Sequence, residues 1–129
     1  MDKHTFIDTI KADFKSSGYI KKGNYWHKKP ENGLIYSVMV SGSQWNKNDY
    51  YIEMGITEFS ENNPFPTEMN WTLFKRCVFD GRQTNLLPDE AIVGIRSFFN
   101  TVKSISELRA LLHSDRVRKV WNRWVLFCD

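Results

Sequence analysis

The chain has 129 residues, 41% of them apolar and 15% aromatic, enough to bury a real core in one domain, expected over residues 1–129. Its formal net charge is only +3, its two cysteines, Cys77 and Cys128, lack CxxC spacing, and no apolar run approaches a membrane span. Met1-Asp2-Lys3-His4 opens without an apolar leader, so the expected setting is the cytoplasm, with both thiols reduced. The charge is uneven. Residues 1–30 carry seven lysines against three aspartates, residues 31–102 five basic against nine acidic side chains, and residues 103–129 six basic against three acidic. Such clusters attract phosphates or an acidic partner, although a solvated face is their commoner meaning.

In chain order, Phe6, Ile7, Ile10 and Phe14 recur at helical spacing with Lys3, Lys11 and Lys15 between them, predicting an amphipathic helix. Thr5 with Asp8 offers a capping box, Asp2 an alternative cap for a slightly longer helix, and Gly18 the left-handed stop. Asn24–Lys29, Leu34–Ser43 and Tyr50–Phe59 alternate as three strands, joined by the turn clusters Pro30-Glu31-Asn32-Gly33 and Asn46-Lys47-Asn48-Asp49. Short turns make them antiparallel neighbours. Leu34, Tyr36, Val38 and Val40 share a face, with Ile35, Ser37, Met39 and Ser41 on the other; Tyr50, Ile52, Met54 and Ile56 lie together, opposite Tyr51, Glu53, Gly55 and Thr57. One apolar and one mixed face predict a sheet covered on one side only. Ser60–Asn70, with Pro64 and Pro66, reads as a polar loop, and Trp71–Phe79 as a fourth strand closed by Asp80-Gly81.

The remainder reads as helical. Pro88-Asp89-Glu90 makes a good first turn for the stripe Ile92, Ile95, Phe99 and Val102, and Ser104 with Glu107 boxes a second helix over Ile105–His113. Ser114-Asp115 starts a third through Val117, Val120, Trp121, Trp124 and Val125. The order predicts an α+β fold: an N-terminal helix, an antiparallel meander of about four strands, and C-terminal helices packed on one face.

A helix followed by Phe14-Lys15-Ser16-Ser17-Gly18-Tyr19-Ile20-Lys21-Lys22-Gly23-Asn24-Tyr25-Trp26 and a Leu34-Ile35-Tyr36 strand resembles a bacterial family, domain of unknown function 4304. The likeness continues through Ser43-Gln44-Trp45-Asn46 and the strand Tyr50–Ile56 and fades after about Phe59. In the fourth strand, where the family carries Cys-His with further arginines, this chain has Lys75-Arg76-Cys77-Val78. The resemblance implies the fold and a bacterial source. It transfers no catalytic residue.

Chemistry-bearing patterns are sparse. His4, His27 and His113 are scattered and neither cysteine has a near partner, so no metal site and no cofactor are expected. There is no Walker loop, GxGxxG or GxSxG. A nuclease-type core would place an acid-x-lysine after a strand-end carboxylate; Asp49 and Glu53 fit the carboxylates, but Met54-Gly55 follows Glu53. Cys77 in a strand reads as a small core residue. No catalytic residue is assigned. Glu53 and Arg76 fall mid-strand, where the ordinary meaning is a cross-strand ion pair. The functional one groups them with Trp26, Trp45 and Tyr51 as a surface that receives a ligand or partner.

Two basic-aromatic segments offer another reading. Lys21-Lys22 and Lys28-Lys29 flank Tyr25-Trp26, and Arg116, Arg118, Lys119 and Arg123 flank Trp121 and Trp124, patterns that suit a nucleic-acid backbone or single strand. In the second segment the tryptophans lie on the apolar stripe, where core packing is the plainer account. The leading expectation is a non-enzymatic protein-interaction module, an accessory or immunity-type protein whose partner is another protein. Nucleic-acid binding is the first alternative, and an enzyme with a site on the open sheet face the second.

Overall fold

The computed structural model describes residues 3–42, 50–79, 88–120 and 123–126. Helix α1 (Lys3–Ser16) leads into strands β1 (Ile20–Lys22), β2 (Tyr25–Lys28), β3 (Leu34–Gly42) and β4 (Tyr50–Glu58). A single 3₁₀ turn, Glu68–Asn70, precedes β5 (Leu73–Phe79); helices α2 (Pro88–Asn100) and α3 (Ile105–Leu112) follow, then strands β6 (Val117–Val120) and β7 (Arg123–Leu126).

The end of α1 shows how locally the early part is encoded. Gly18 takes φ 89°, the Tyr19 N–H donates to the Phe14 carbonyl at 3.0 Å, and the Gly18 N–H donates to Lys15 at 3.4 Å. These are the two bonds of a Schellman stop, and the accompanying contact is present, since the Tyr19 and Phe14 rings stack at 4.7 Å. Gly23, at φ 59°, then turns β1 back onto β2 in the register Lys22↔Tyr25. At α3 the first bond of the expected capping box is made, the Ser104 hydroxyl accepting from the Glu107 N–H at 3.1 Å, while the Glu107 carboxylate accepts from the N–H of Lys103, one residue before the cap, at 2.8 Å.

The sheet differs from the expected meander of about four strands. Among the described residues it has seven, in the order β1-β2-β3-β4-β5-β7-β6. It is mixed because β7 lies parallel to β5, in the register Leu73↔Trp124. Two additions account for the change. Ile20–Lys22 makes a short edge strand, and residues 117–120 and 123–126, expected within a helix, form the antiparallel pair β6 and β7 instead. Val117 and Leu126 pair across it and both sit in the main core, which a strand's alternation satisfies as well as a helical stripe.

That core lies between α1, α2, α3 and one sheet face. Phe6, Ile10 and Phe14 from α1, and Ile92, Ile95, Phe98 and Phe99 from α2, meet Trp26, Tyr36, Val38, Ile52, Met54, Ile56 and Leu73. Arg96 of α2 clamps Asp13 of α1, its Nη2 reaching the two carboxylate oxygens at 2.8 and 2.9 Å. The opposite face is not left open, as the two-faced pattern predicted. Residues 59–72 fold back over its centre.

Candidate functional site

Gly55 explains how that loop covers the sheet. A Cβ at this position would stand 2.0 Å from the Trp71 ring, so the indole lies flat on bare backbone. Trp71 is 2% exposed, and its Nε1–H donates to the Pro66 carbonyl at 3.2 Å. Tyr25 meets it edge-on at 5.9 Å and Phe74 stacks beside it at 6.0 Å. Phe65 tilts over His27 at 5.5 Å, and the His27 Nδ1 lies 2.8 Å from the Ser37 hydroxyl. Burial lowers the His27 pKa from its ordinary value, holding the imidazole neutral. A second, smaller core therefore fills the β2–β5 region of this face.

Beside it lies the polar pair. Glu53 and Arg76 are direct cross-strand partners, with Nη2 to Oε1 at 2.6 Å. The Glu53 side chain is 3% exposed, whereas that of Arg76 is 47% exposed. Ser41 donates its hydroxyl to the same oxygen at 3.3 Å, and Oε2 is buried with no hydrogen-bond partner among the described residues. Glu68, on the 3₁₀ turn, brings a second carboxyl group beside Glu53. Its hydrogen bond to Glu53, then burial, then repulsion by that carboxylate raise its pKa, while Arg123 and Arg76 pull it down. Two carboxyl groups therefore stand beside each other where the loop meets β4, and the Glu68 N–H donates to the Tyr25 hydroxyl at 3.4 Å.

Outward from this anchor the face is cationic and aromatic. Arg76 stands 5.2 Å from the Tyr51 ring centre and 5.7 Å from that of Phe74, and Arg123 stands 4.0 Å over Phe74. Arg123 reaches this position because Phe74 and Val125 are partners across β5 and β7. Arg118, opposite Val125 across β6 and β7, belongs to the same face.

Of the expected binding residues, the structure brings Tyr51, Glu53 and Arg76 together. Trp26 is elsewhere: it pairs with Val38 on the helix-covered face, packs against Phe14 at 5.4 Å and is 4% exposed. Trp45 and Asp49 lie outside the described residues. Glu68 and Trp71 were missed, and Arg123 was read as part of a basic helix rather than of this face. Gly55 in mid-strand was the available signal for Trp71, since a glycine there marks close approach by another group; Arg123 was hidden by its assignment to a helix.

The basic segments fall at opposite borders, β1–β2 at one edge of the sheet and β6–β7 at the other. Lys21 and Lys22 are exposed on one edge strand, and Arg118 and Lys119 on the other. Charged side chains there discourage further strands from adding on. Among the described residues no three metal-ligating side chains converge, and no helix is long and apolar enough to cross a membrane.

The fold and this face define a single α+β domain whose mixed sheet carries helices on one side and a tryptophan-pinned loop with an arginine–aromatic strip on the other. The chain belongs to the family described as domain of unknown function DUF4304, whose sequence model matches residues 10–93. The match runs from within α1 to within α2, past the Phe59 limit read from sequence, and includes Glu53, Glu68 and Arg76. Comparison with curated proteins and with solved structures returns no match.

Proposed function

We propose that this protein is a non-enzymatic protein-interaction module, of the accessory or immunity type in a bacterial cytoplasm, which docks an acidic protein on the strip formed by Arg76, Arg118, Arg123, Tyr51 and Phe74. The observation that carries this reading is the pair of guanidinium groups over the Phe74 ring, one of them anchored by a buried carboxylate. A guanidinium fixed before binding loses little entropy on docking, and arginine and aromatic side chains dominate interface hot spots. Catalysis on this face is disfavoured by Glu53 itself, which lies beneath the loop and is already engaged by Arg76 and Ser41. Nucleic-acid binding loses support because the two basic segments occupy opposite sheet edges and Trp26 is buried rather than displayed for stacking.

The test is affinity capture from lysate of the source cells, with and without nuclease, using the unaltered chain and an Arg118→Glu/Arg123→Glu variant. A stoichiometric protein partner that survives nuclease and is lost from the variant is expected. Capture that vanishes with nuclease transfers the strip to nucleic acid, and a partner retained by the charge-reversed variant removes the strip from the interface.

A further inference from the structure

On the helix-covered side, where α1 and α2 both end, a cavity of about 550 Å³ opens to solvent, a size that suits a small organic molecule. Tyr36 forms its floor, with the Phe99 ring edge-on at 4.9 Å. The Tyr36 hydroxyl donates to the Val102 carbonyl at 2.5 Å, while Asn32 Nδ2 donates to that hydroxyl at 3.0 Å and to the Lys103 carbonyl at 2.9 Å. The floor is therefore preorganised by bonds that cross from the β2–β3 turn to the α2–α3 link.

Tyr19 makes a wall, oriented by the Schellman turn and its stacking on Phe14. Burial raises the pKa of both Tyr19 and Tyr36, so each phenol stays a neutral donor. The Tyr19 hydroxyl makes no hydrogen bond among the described residues. It is a donor without an acceptor at the edge of an empty space.

The electrostatics select the ligand. Lys28, Arg96 and Lys103 line the cavity, and among the described residues no carboxylate does. Asp13 offsets Arg96 from outside, the Glu107 carboxylate accepts from the Lys103 N–H and acts on Tyr36, the C-termini of α1 and α2 each bring about half a negative charge, and the N-terminus of α3 returns about half a positive one. Against three cations these leave an excess of about half a positive charge. Among the described residues no carboxylate holds Lys28, and its Nζ rests 5.6 Å from the Tyr19 ring centre.

We infer that this cavity binds a small planar organic monoanion, a carboxylate whose ring packs against Tyr19 and Phe99 and whose charge lies between Lys28 and Lys103. The site is on the opposite face from the arginine strip, so each stands or falls without the other. A phosphate ester, carrying nearly two charges at neutral pH, exceeds the excess that the cavity offers.

The test uses the full chain and three probes: naphthoate, its neutral isostere naphthamide, and the dianionic naphthyl phosphate. Calorimetric and amide-resonance titrations are expected to give saturable naphthoate binding that perturbs Tyr19, Asn32 and Lys103. Naphthamide is expected to bind at least about tenfold more weakly, and naphthyl phosphate no more tightly than naphthoate. Lys28→Gln/Lys103→Gln removes about tenfold of naphthoate affinity, leaving that of naphthamide and the unfolding midpoint unchanged. On the unaltered chain, added salt weakens naphthoate and spares naphthamide. Equal affinity for naphthoate and naphthamide, tighter binding of naphthyl phosphate, or no saturable naphthoate signal overturns the proposal.

Discussion

Gly55→Ala is the smallest change that tests how the second sheet face is built. The added Cβ would lie 2.0, 2.3 and 2.5 Å from Trp71 Cδ2, Cγ and Cε3. An ordinary carbon–carbon contact is about 3.5 Å, so the indole must lift by about 1.5 Å or the strand must yield. Backbone on one side and a rigid bicyclic ring on the other leave little room for relief. Full burial of a tryptophan is worth about 4–6 kcal/mol at 25 cal/mol per Å² over the 150–250 Å² it covers. Lifting it also strains the Nε1–Pro66 bond and draws the Glu68 turn away from Glu53. We expect a loss of about 3 kcal/mol, at the upper end of ordinary overpacking and well beyond the half kcal/mol or so that alanine gains over glycine in a strand.

The assay is a double-mutant cycle in urea with Trp71→Ala, which should cost about 3–5 kcal/mol alone. If the ring is the obstacle, Gly55→Ala is neutral or slightly stabilising once Trp71 is gone, a coupling of about 3 kcal/mol. Equal loss in both backgrounds would refute the account, as would a Gly55→Ala variant as stable as the parent.

Three further outcomes follow from the same face. A raised Glu68 pKa means that the folded state holds the proton more tightly, so this stabilisation is complete below the unfolded value of 4.5 and disappears as pH rises through the folded one. Glu68→Gln keeps a donor for Glu53 and should flatten that decline in urea midpoints; a profile parallel to the parent's would exclude the shared proton. His27 runs the other way: its lowered pKa gives stabilisation complete above 6.5 and lost as pH falls from there through the folded value. Its imidazole resonances should therefore titrate below 6.5, and a midpoint at or above that value would mean the ring is not desolvated. Arg76→Ala leaves Glu53 buried without its charged partner and with the Ser41 hydroxyl still donating, and because Arg76 is half exposed the expected cost is about 1–2 kcal/mol. Adding Glu53→Gln should recover part of it in the same unfolding assay.

Helix α1 and strands β2 to β4 were legible because their signals are local. Helix spacing, the Gly18 stop and the turn at Pro30–Gly33 each act over a few residues, and β3 and β4 alternate over enough positions to fix their faces. Residues 117–126 defeated the periodicity argument for a definable reason. Val117, Val120, Trp124 and Val125 fit spacings of three, four and seven, but they also fit a pair of four-residue strands, and β-branched and aromatic content favours strands. Whether β7 pairs with β5 depends on contacts about fifty residues apart, which no window contains. Glu53–Arg76 was legible as a pair because both fall mid-strand. Its burial was not, because the covering loop is polar over most of its length, and of its apolar residues only Pro66 and Trp71 are buried.

That loop also accounts for where the arginines are. A seven-stranded sheet has two faces to cover, and the helices reach only one. On the other face, Trp71 and Pro66 cover the region facing β2, β3 and β4, and the 3₁₀ turn ends the cover at Glu68. Past that point Tyr51, Phe74 and Val125 would present an apolar strip to water. Arg76 and Arg123 lie across its aromatic rings, shielding them with guanidinium faces that keep their edges in solvent. The arrangement suffices for a monomer, and a partner supplying carboxylates could meet those edges without first exposing the rings. This distinguishes a docking strip from a patch that is merely shielded. Replacing Arg123 by lysine retains the charge but loses the planar cover, so partner capture should fall while the unfolding midpoint changes little. A midpoint that drops with capture unchanged would assign Arg123 to shielding alone.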